Sequence, residues 1–484
     1  MLFPSVDGML RLLSILAIVA GLGVVALPVS QAAPAGPLTP AVIDDYLEAA
    51  LDSTGLPGLS AVVTQGDRVV HAGGYGHDSG GGPVTADTPM RIASLSKSFT
   101  STAVMILVDE GRISLDRTVS EQLPGFTAAD ARAAEVTVRQ LLNQTSGLTD
   151  STVDIGRLQG ATSLADYVSR LDTAALATDP GTRFKYCNVN YNLAARLVEV
   201  ASGQNFGTFL AQRVFGPLGM TDSAVSAENI APAEGYNSIF GAWVSRPELP
   251  GFLEGSGSGG VITSAADLGK WLIAQNGRGP QLLSPAALAT THTPSPVDEY
   301  AMGWAPEDSD PTLLVHSGNL FTYTAFQAID PATGYGFAVL ANSAALHDDT
   351  YDIVKGLVAL SRGQTPAEIG GQRQIFELVL ALIALGTLGL GVLGVLRSRR
   401  WAQRCAARSW WRITLRLLPL AIPLLLFAAY PQIISAITGG RTVTWSQLTY
   451  FAAPLSIALL VAALAGASTA VLRMVRLRSV RSAG

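Results

Sequence analysis

Ser94 and Lys97 stand three residues apart in Arg91-Ile92-Ala93-Ser94-Leu95-Ser96-Lys97-Ser98-Phe99-Thr100, at the head of an apolar run that ends near Gly111. Three residues on a helix is slightly less than one turn, so a hydroxyl and an amine at that spacing share a face. A serine hydroxyl is a poor nucleophile until a neighbour takes its proton. A lysine can do so once burial and nearby positive charge lower its pKa. Peptide N–H groups at a helix start also favour negative charge growing near Ser94. The pair points to acyl transfer, although a serine cap followed by a solvated lysine has the same spelling.

Two further constellations carry chemistry. Tyr186-Cys187-Asn188 follows the turn Asp179-Pro180-Gly181; a phenol near a lysine can act as a proton carrier. His316-Ser317-Gly318-Asn319 stands just before a predicted strand, where a glycine lets backbone approach a substrate closely. Tyr-x-Asn also reads as a turn, and His-Ser-Gly as strand-end punctuation. Cys187 has no base near it in sequence and makes a poor nucleophile candidate. His71, His77, His292 and His347 lack metal-ligand spacing, so neither a metal nor a cofactor is expected. The glycines at 73–82 lack the Lys-Ser/Thr ending of a phosphate loop.

The elements that must position these residues can be read coarsely. Thr39-Pro40 opens a helix through about Asp52, with the hydroxyl as N-cap. Leu59–Thr64 and Arg68–Ala72 read as strands joined at Gln65-Gly66-Asp67, followed by a glycine-rich loop from Gly73 to Pro83. A largely helical region runs from about Gly111 to Val225. Strands are predicted around Thr322–Ile329 and Gly336–Ala341, separated by the turn Asp330-Pro331-Ala332-Thr333-Gly334. A helix at Thr350–Leu360 closes the domain. Strands at both ends imply a sheet assembled from the two termini, with a helical insertion facing it and a cleft between.

In this order the motifs resemble the serine β-lactamase and penicillin-binding superfamily, on the side of class C β-lactamases and D-amino peptidases. The resemblance runs from about Pro37 to Arg362. It includes Leu141-Leu142-Asn143-Gln144-Thr145-Ser146-Gly147-Leu148, Pro180 through Gly219, Gly259-Gly260-Val261-Ile262-Thr263-Ser264-Ala265-Ala266-Asp267-Leu268 and Met302-Gly303-Trp304. It implies Ser94 as acylated nucleophile, Lys97 as its partner and Tyr186 as proton shuttle to the leaving group and the deacylating water. Asn188 would hold the substrate amide. His316 would replace a lysine common in relatives, with Gly318 completing the His-x-Gly variant. The N–H groups of Ser94 and Asn319 would form the oxyanion hole. Gln144 stands where relatives often have histidine and Cys187 where serine is common, which bears on substrate preference.

Charge and hydropathy divide the chain. Its net charge of −5 splits into +11 after residue 365, from 13 Arg against Glu368 and Glu377, and −16 before it. An acidic front argues against nucleic acid; a basic tail among apolar runs argues for a membrane. Arg11, the apolar run Leu12–Leu27 and Ser30-Gln31-Ala32 read as an export signal over 1–33, with an uncleaved anchor as the competing reading. The two cysteines, Cys187 and Cys405, are not expected to pair. A linker at 363–374 leads to apolar stretches at 375–396, 413–437 and 450–472, each long enough to span a bilayer. Arg397, Arg399, Arg400, Arg404, Arg408 and Arg412 lie between the first two. Arg473, Arg476, Arg478 and Arg481 follow the third, whereas the segment between the second and third holds only Arg441. The positive-inside rule puts the first loop and the C-terminus in the cytoplasm.

The expected architecture is an α/β (α+β) β-lactamase/transpeptidase-like domain over 37–362: an antiparallel sheet flanked by helices plus a helical lobe, followed by three transmembrane helices. The layout resembles membrane-bound D-amino peptidases that mature non-ribosomal peptide precursors, the colibactin-maturing peptidase among them. The expected function is an extracytoplasmic, plasma-membrane serine hydrolase acting on a small peptide or acylated amide. An esterase of the same family and a slowly acylating membrane sensor are the alternatives.

Overall fold

The computed structural model describes residues 38–482; the expected export signal at 1–33 lies outside them. The chain folds as two compact units. One comprises residues up to Tyr236, Ser245–Gly370 and the short segment Gly440–Thr442. The other comprises Asn237–Val244, Gly371–Gly439 and Val443–Gly484.

The first unit is built on a six-stranded antiparallel sheet. Its strands are β1 (Gly58–Gln65), β2 (Arg68–Gly76), β3 (Ala305–Glu307), β4 (Asp310–Asn319), β5 (Thr324–Asp330) and β6 (Tyr335–Ala341), in the order β2-β1-β6-β5-β4-β3. Both ends of the domain therefore contribute, and β1 pairs with β6 from Leu59↔Ala341 to Gln65↔Tyr335. Every residue of β5 is buried. Unbroken burial in a strand means that both faces of the sheet are covered; Gln327, polar at its centre, donates to Ser98 Oγ at 3.2 Å. The helix α1 (Pro40–Thr54) starts at Thr39, whose hydroxyl accepts from Val42 N at 3.3 Å. It packs with α5 (Asp349–Ser361), where Gly356 leaves room for the Tyr46 ring. The helix α4 (Ala265–Gln275) lies close on β1 and β6, because Gly269 and Gly336 present no side chain; a Cβ at Gly269 would stand 2.9 Å from Val62.

Two sequence expectations change here. The glycines from Gly73 to Gly76 are not loop but the second half of β2. They sit in a strand because another backbone crosses them: a Cβ at Gly74 would meet Thr85 backbone at 2.4 Å. His316–Asn319 does stand just before a strand, β5, but it is not loop: it forms the end of β4, a strand the sequence pattern did not predict.

Between β2 and β3 comes the helical lobe, into which α2 (Ser96–Asp109) and α3 (Asn188–Ser202) are built. Phe99 of α2 stacks on Trp271 of α4 with centroids 3.8 Å apart and planes at 16°. Both rings are fully buried, and a stacked pair contributes about 0.5–1.5 kcal/mol beyond the area it hides. This contact ties the helix behind Ser94 to a helix of the sheet.

The second unit holds three helices long and apolar enough to cross a membrane: α6 (Gln372–Leu396), α7 (Trp410–Ala428) and α9 (Ala453–Ser482). Between α7 and α9 lies the short helix α8 (Tyr430–Ile437). Their crossings are lined by small residues. A Cβ on Gly391 would stand 2.6 Å from Ala465 and one on Gly394 2.7 Å from Thr469, while Gly466 meets the Leu420 carbonyl. Close backbone approach of this kind replaces the hydrophobic effect where the surroundings are themselves apolar. Outward-facing Leu382, Leu385, Leu390 and Leu396 are exposed. In the same unit Glu377 accepts from Ser238 Oγ (2.9 Å) and Gly241 N (2.6 Å), holding the hairpin turn Phe240-Gly241, whose φ angles of 50° and 89° fit a two-residue reversal.

Candidate active site

Ser94 lies in a single 3₁₀ turn, Ala93–Leu95, immediately before α2. Ala93 carries φ +49°, a left-handed conformation that costs a non-glycine residue roughly 1 kcal/mol or more. The strained turn is held from two sides. Ile92 N donates to Val261 O at 3.2 Å, and the end of β4 lies against the turn, where a Cβ on Gly318 would stand 2.2 Å from Ile92 O. The glycine expected to let a substrate approach thus first lets β4 approach the serine turn.

Lys97 is fully buried. Its Nζ stands 2.9 Å from Ser94 Oγ, 2.9 Å from Asn188 Oδ1 and 2.7 Å from Ser258 O. Burial lowers its pKa well below the ordinary lysine value, and Arg441 lowers it further. Asn188 Oδ1 and the Ser258 carbonyl can only accept, so two N–H bonds of a neutral amine are committed to them. The ammonium donates to Ser94 Oγ; in the neutral amine the remaining lone pair would face that hydroxyl, as proton removal requires.

Tyr186 is half-buried, its ring centroid 4.8 Å from Lys97 Nζ. Burial pushes its pKa up to about 12; the Ser94 hydroxyl and Arg441 oppose that rise. The residues flanking Tyr186 are clamped by Gln144. Its carbonyl accepts from Lys185 N (2.8 Å), and its Oε1 accepts from Cys187 N (3.0 Å) and Asn190 Nδ2 (2.6 Å). A histidine there could not make this set unchanged, so the departure at Gln144 has a structural use. Cys187 is buried and its thiol pKa is raised by burial and by Asp150, which makes it inert.

His316 is fully buried on β4. Its Nδ1 lies 2.7 Å from Ser317 O and its Nε2 3.1 Å from the Tyr300 hydroxyl. A carbonyl can only accept, so Nδ1 carries the proton and Nε2 accepts from the phenol. The imidazole is neutral, with its pKa lowered to about 3 by burial and by Lys97. Asn319 pairs with Thr324 across the β4–β5 turn. Glu248 holds that turn by accepting from Phe321 N (3.1 Å) and Thr322 Oγ1 (2.8 Å).

Ser94, Lys97, Tyr186, Asn188 and His316 thus converge, and Gly318 seats the strand that carries His316. Sequence reading missed four contributors. Ser258 offers only a backbone carbonyl, and Tyr300 acts from an unmarked loop. Asp150 and Arg441 are joined by Arg441 Nε donating to Asp150 Oδ2 at 2.9 Å. The signal for Arg441 was visible as the lone basic residue of 438–449, read there only for topology. Among the described residues no cluster of His, Cys, Asp or Glu could hold a metal ion.

An antiparallel sheet of both termini and a helical lobe, with a serine–lysine–tyrosine cluster, define the β-lactamase/transpeptidase-like fold. The Beta-lactamase family model matches residues 43–360, and the chain belongs to that family. It is 28% identical over 429 residues to Protein flp of Staphylococcus aureus strain N315, covering 83% of this chain and 85% of that protein. It is 30% identical over 339 residues to Penicillin-binding protein 4 of Amycolatopsis lactamdurans, covering 65% and 88%. Among solved structures, the octameric penicillin-binding protein homologue from Pyrococcus abyssi superposes with a TM-score of 0.57 at 26% identity, covering 67% of this chain and 78% of that one.

Proposed function

We propose that this protein is a membrane-anchored, extracytoplasmic serine hydrolase that cleaves amides beside a D-residue through a Ser94 acyl-enzyme. The observation that carries the reading is the threefold coordination of Lys97 Nζ, which leaves its lone pair for Ser94. In acylation Ser94 Oγ attacks the amide carbon while its proton passes to Lys97. The oxyanion forms beside the N–H groups of Ser94 and Asn319. Tyr186, a phenol at neutral pH, gives its proton to the departing amine and recovers one from the Lys97 ammonium, so the C–N bond breaks with all protons accounted for. In deacylation the same pair takes a proton from water and returns one to Ser94 Oγ.

Neutral His316 offers a carboxylate no positive charge. That favours a D-aminoacyl amide or a prodrug amide over a peptide with a free C-terminus, and it suits an acyl ester equally, so the esterase is the second reading. Membrane anchoring is supported by three apolar helices, small-residue crossings and the arginine distribution. Segment 440–442, between the second and third apolar stretches, belongs to the catalytic unit. This supports a placement on the same side of the membrane as Ser94, in agreement with the positive-inside rule.

The test is hydrolysis of matched D- and L-aminoacyl amides and a short acyl ester by the full-length protein in detergent. Preference for the D-amide by kcat/KM supports the peptidase. Turnover of the ester alone supports the esterase, and a stable adduct without turnover supports the sensor.

A further inference from the structure

The loop between α8 and α9 supplies a side chain to the hydrolase unit. Asp150 is buried and receives three bonds from it: Arg441 Nε and Thr442 N donate to its carboxylate at 2.9 and 3.3 Å, and Thr442 Oγ1 donates to its backbone carbonyl at 3.3 Å. So anchored, the Arg441 guanidinium carbon lies 5.4 Å from the Tyr186 ring centroid. Lys97 Nζ approaches the same ring at 4.8 Å. The other groups facing this phenol are Tyr300 and His316, with centroids 6.3 and 6.5 Å away, together with Tyr191, and Cys187 adjoins it in sequence. The Asp150 carboxylate raises the pKa of both Tyr186 and Lys97 and so opposes Arg441, whose effect on each is the larger. His316 is held neutral by its burial, and Cys187 is a buried thiol.

We propose that Arg441 is a positioning residue for catalysis: a fixed cation beside Tyr186 and Lys97 that favours the singly deprotonated state of the pair. A guanidinium near an aromatic ring is attracted to the phenol and more strongly to a phenolate. It also repels an ammonium on Lys97. Both effects ease loss of a proton from the pair, so the site is primed at a lower pH than Lys97 and Tyr186 would reach alone. Asp150 already matches the charge of Arg441, which is why the cation is assigned to the acid–base pair rather than to a substrate anion. The active site is then completed by a segment that lies more than 250 residues beyond Tyr186 in sequence, between two apolar helices.

The inference rests on Ser94, Lys97 and Tyr186 being the acid–base machinery. It is tested on full-length protein in detergent by the pH dependence of kcat/KM on a neutral amide or ester. Arg441→Gln keeps an amide donor for Asp150 but no charge; Arg441→Lys keeps the charge. Fluorophosphonate labelling of Ser94 at alkaline pH confirms that each variant is folded. In Arg441→Gln the acid limb is expected to move up by about one pH unit or more, giving a roughly tenfold loss below the limb and recovery above it, while Arg441→Lys stays near wild type. A uniform loss at all pH values with an unmoved limb would overturn the proposal, as would a rise in KM confined to carboxylate-bearing substrates. Should Arg441→Gln not fold, an acid limb in Arg441→Met or Arg441→Ala that coincides with wild type would overturn it equally. Wild type that takes up no label at all sinks the acyl-enzyme reading instead.

Discussion

At the scale of single residues, the site depends on keeping ionisable groups neutral inside the protein. His316 shows the consequence for stability. Its folded pKa is depressed to about 3, against about 6.5 for an unfolded histidine. The contribution is therefore fully present above pH 6.5 and is lost as pH falls towards 3, because the unfolded chain binds the proton first. The expected slope is about 1.4 kcal/mol per pH unit from this one group. His316→Gln should flatten the fall in melting temperature between pH 7 and 5, leaving a remainder from His292, whose pKa burial lowers to about 4. Parallel melting curves for the two proteins would show that His316 titrates freely. The residue types of this candidate site were legible in sequence because acyl-transfer chemistry restricts them. Their protonation was not, since it depends on Ser258, Tyr300 and Asn188 meeting Lys97 and His316 from distant segments.

At the scale of elements, the serine turn is defined by what leans on it. Gly318 is the tightest point: β4 reaches the turn only because this residue has no Cβ. Gly318→Ala must move β4 or the turn, at a cost of about 1–3 kcal/mol for overpacking. It should slow Ser94 labelling roughly tenfold or more, because sub-ångström placement governs such reactions. Labelling at the wild-type rate with an unchanged melting temperature would refute this account of the glycine. Sequence reading found β5 and β6, whose apolar runs are bounded by the Asp330–Gly334 turn. It did not find β4, where Pro311 and Gly318 interrupt the pattern, and it took Gly73–Gly76 for a loop. In both places a glycine marks close backbone packing, and nothing local separates that from flexibility. The hairpin at Gly235–Arg246 was missed for a related reason: its turn is Phe240-Gly241, where an Asn-Gly would have signalled it.

At the scale of the whole molecule, residues 440–442 belong to the same unit as Ser94, although apolar stretches flank them on both sides in sequence. Protein flp matches 83% of this sequence, more than residues 43–360 contain. Arg441 gives one physical reason for a hydrolase to keep such helices: the segment joining two of them brings a charge to Tyr186. The bond between Arg441 and Asp150 spans 291 positions, which no local pattern could reveal, although the isolated arginine was visible. The topology can be checked in intact cells with a membrane-impermeant maleimide. Cys187 and Cys405 are buried and should stay silent. Ser446→Cys is expected to label from outside, and Arg399→Cys only after permeabilisation; the reverse pattern would refute the orientation.

The central claim is that Ser94 is acylated with Lys97 as its base. Intact-mass measurement of the full-length protein after fluorophosphonate treatment, with Ser94→Ala alongside, tests it most directly. The account predicts one adduct on the wild type, mapped to Ser94, and none on the variant. Adducts on both proteins, or on neither, would contradict it.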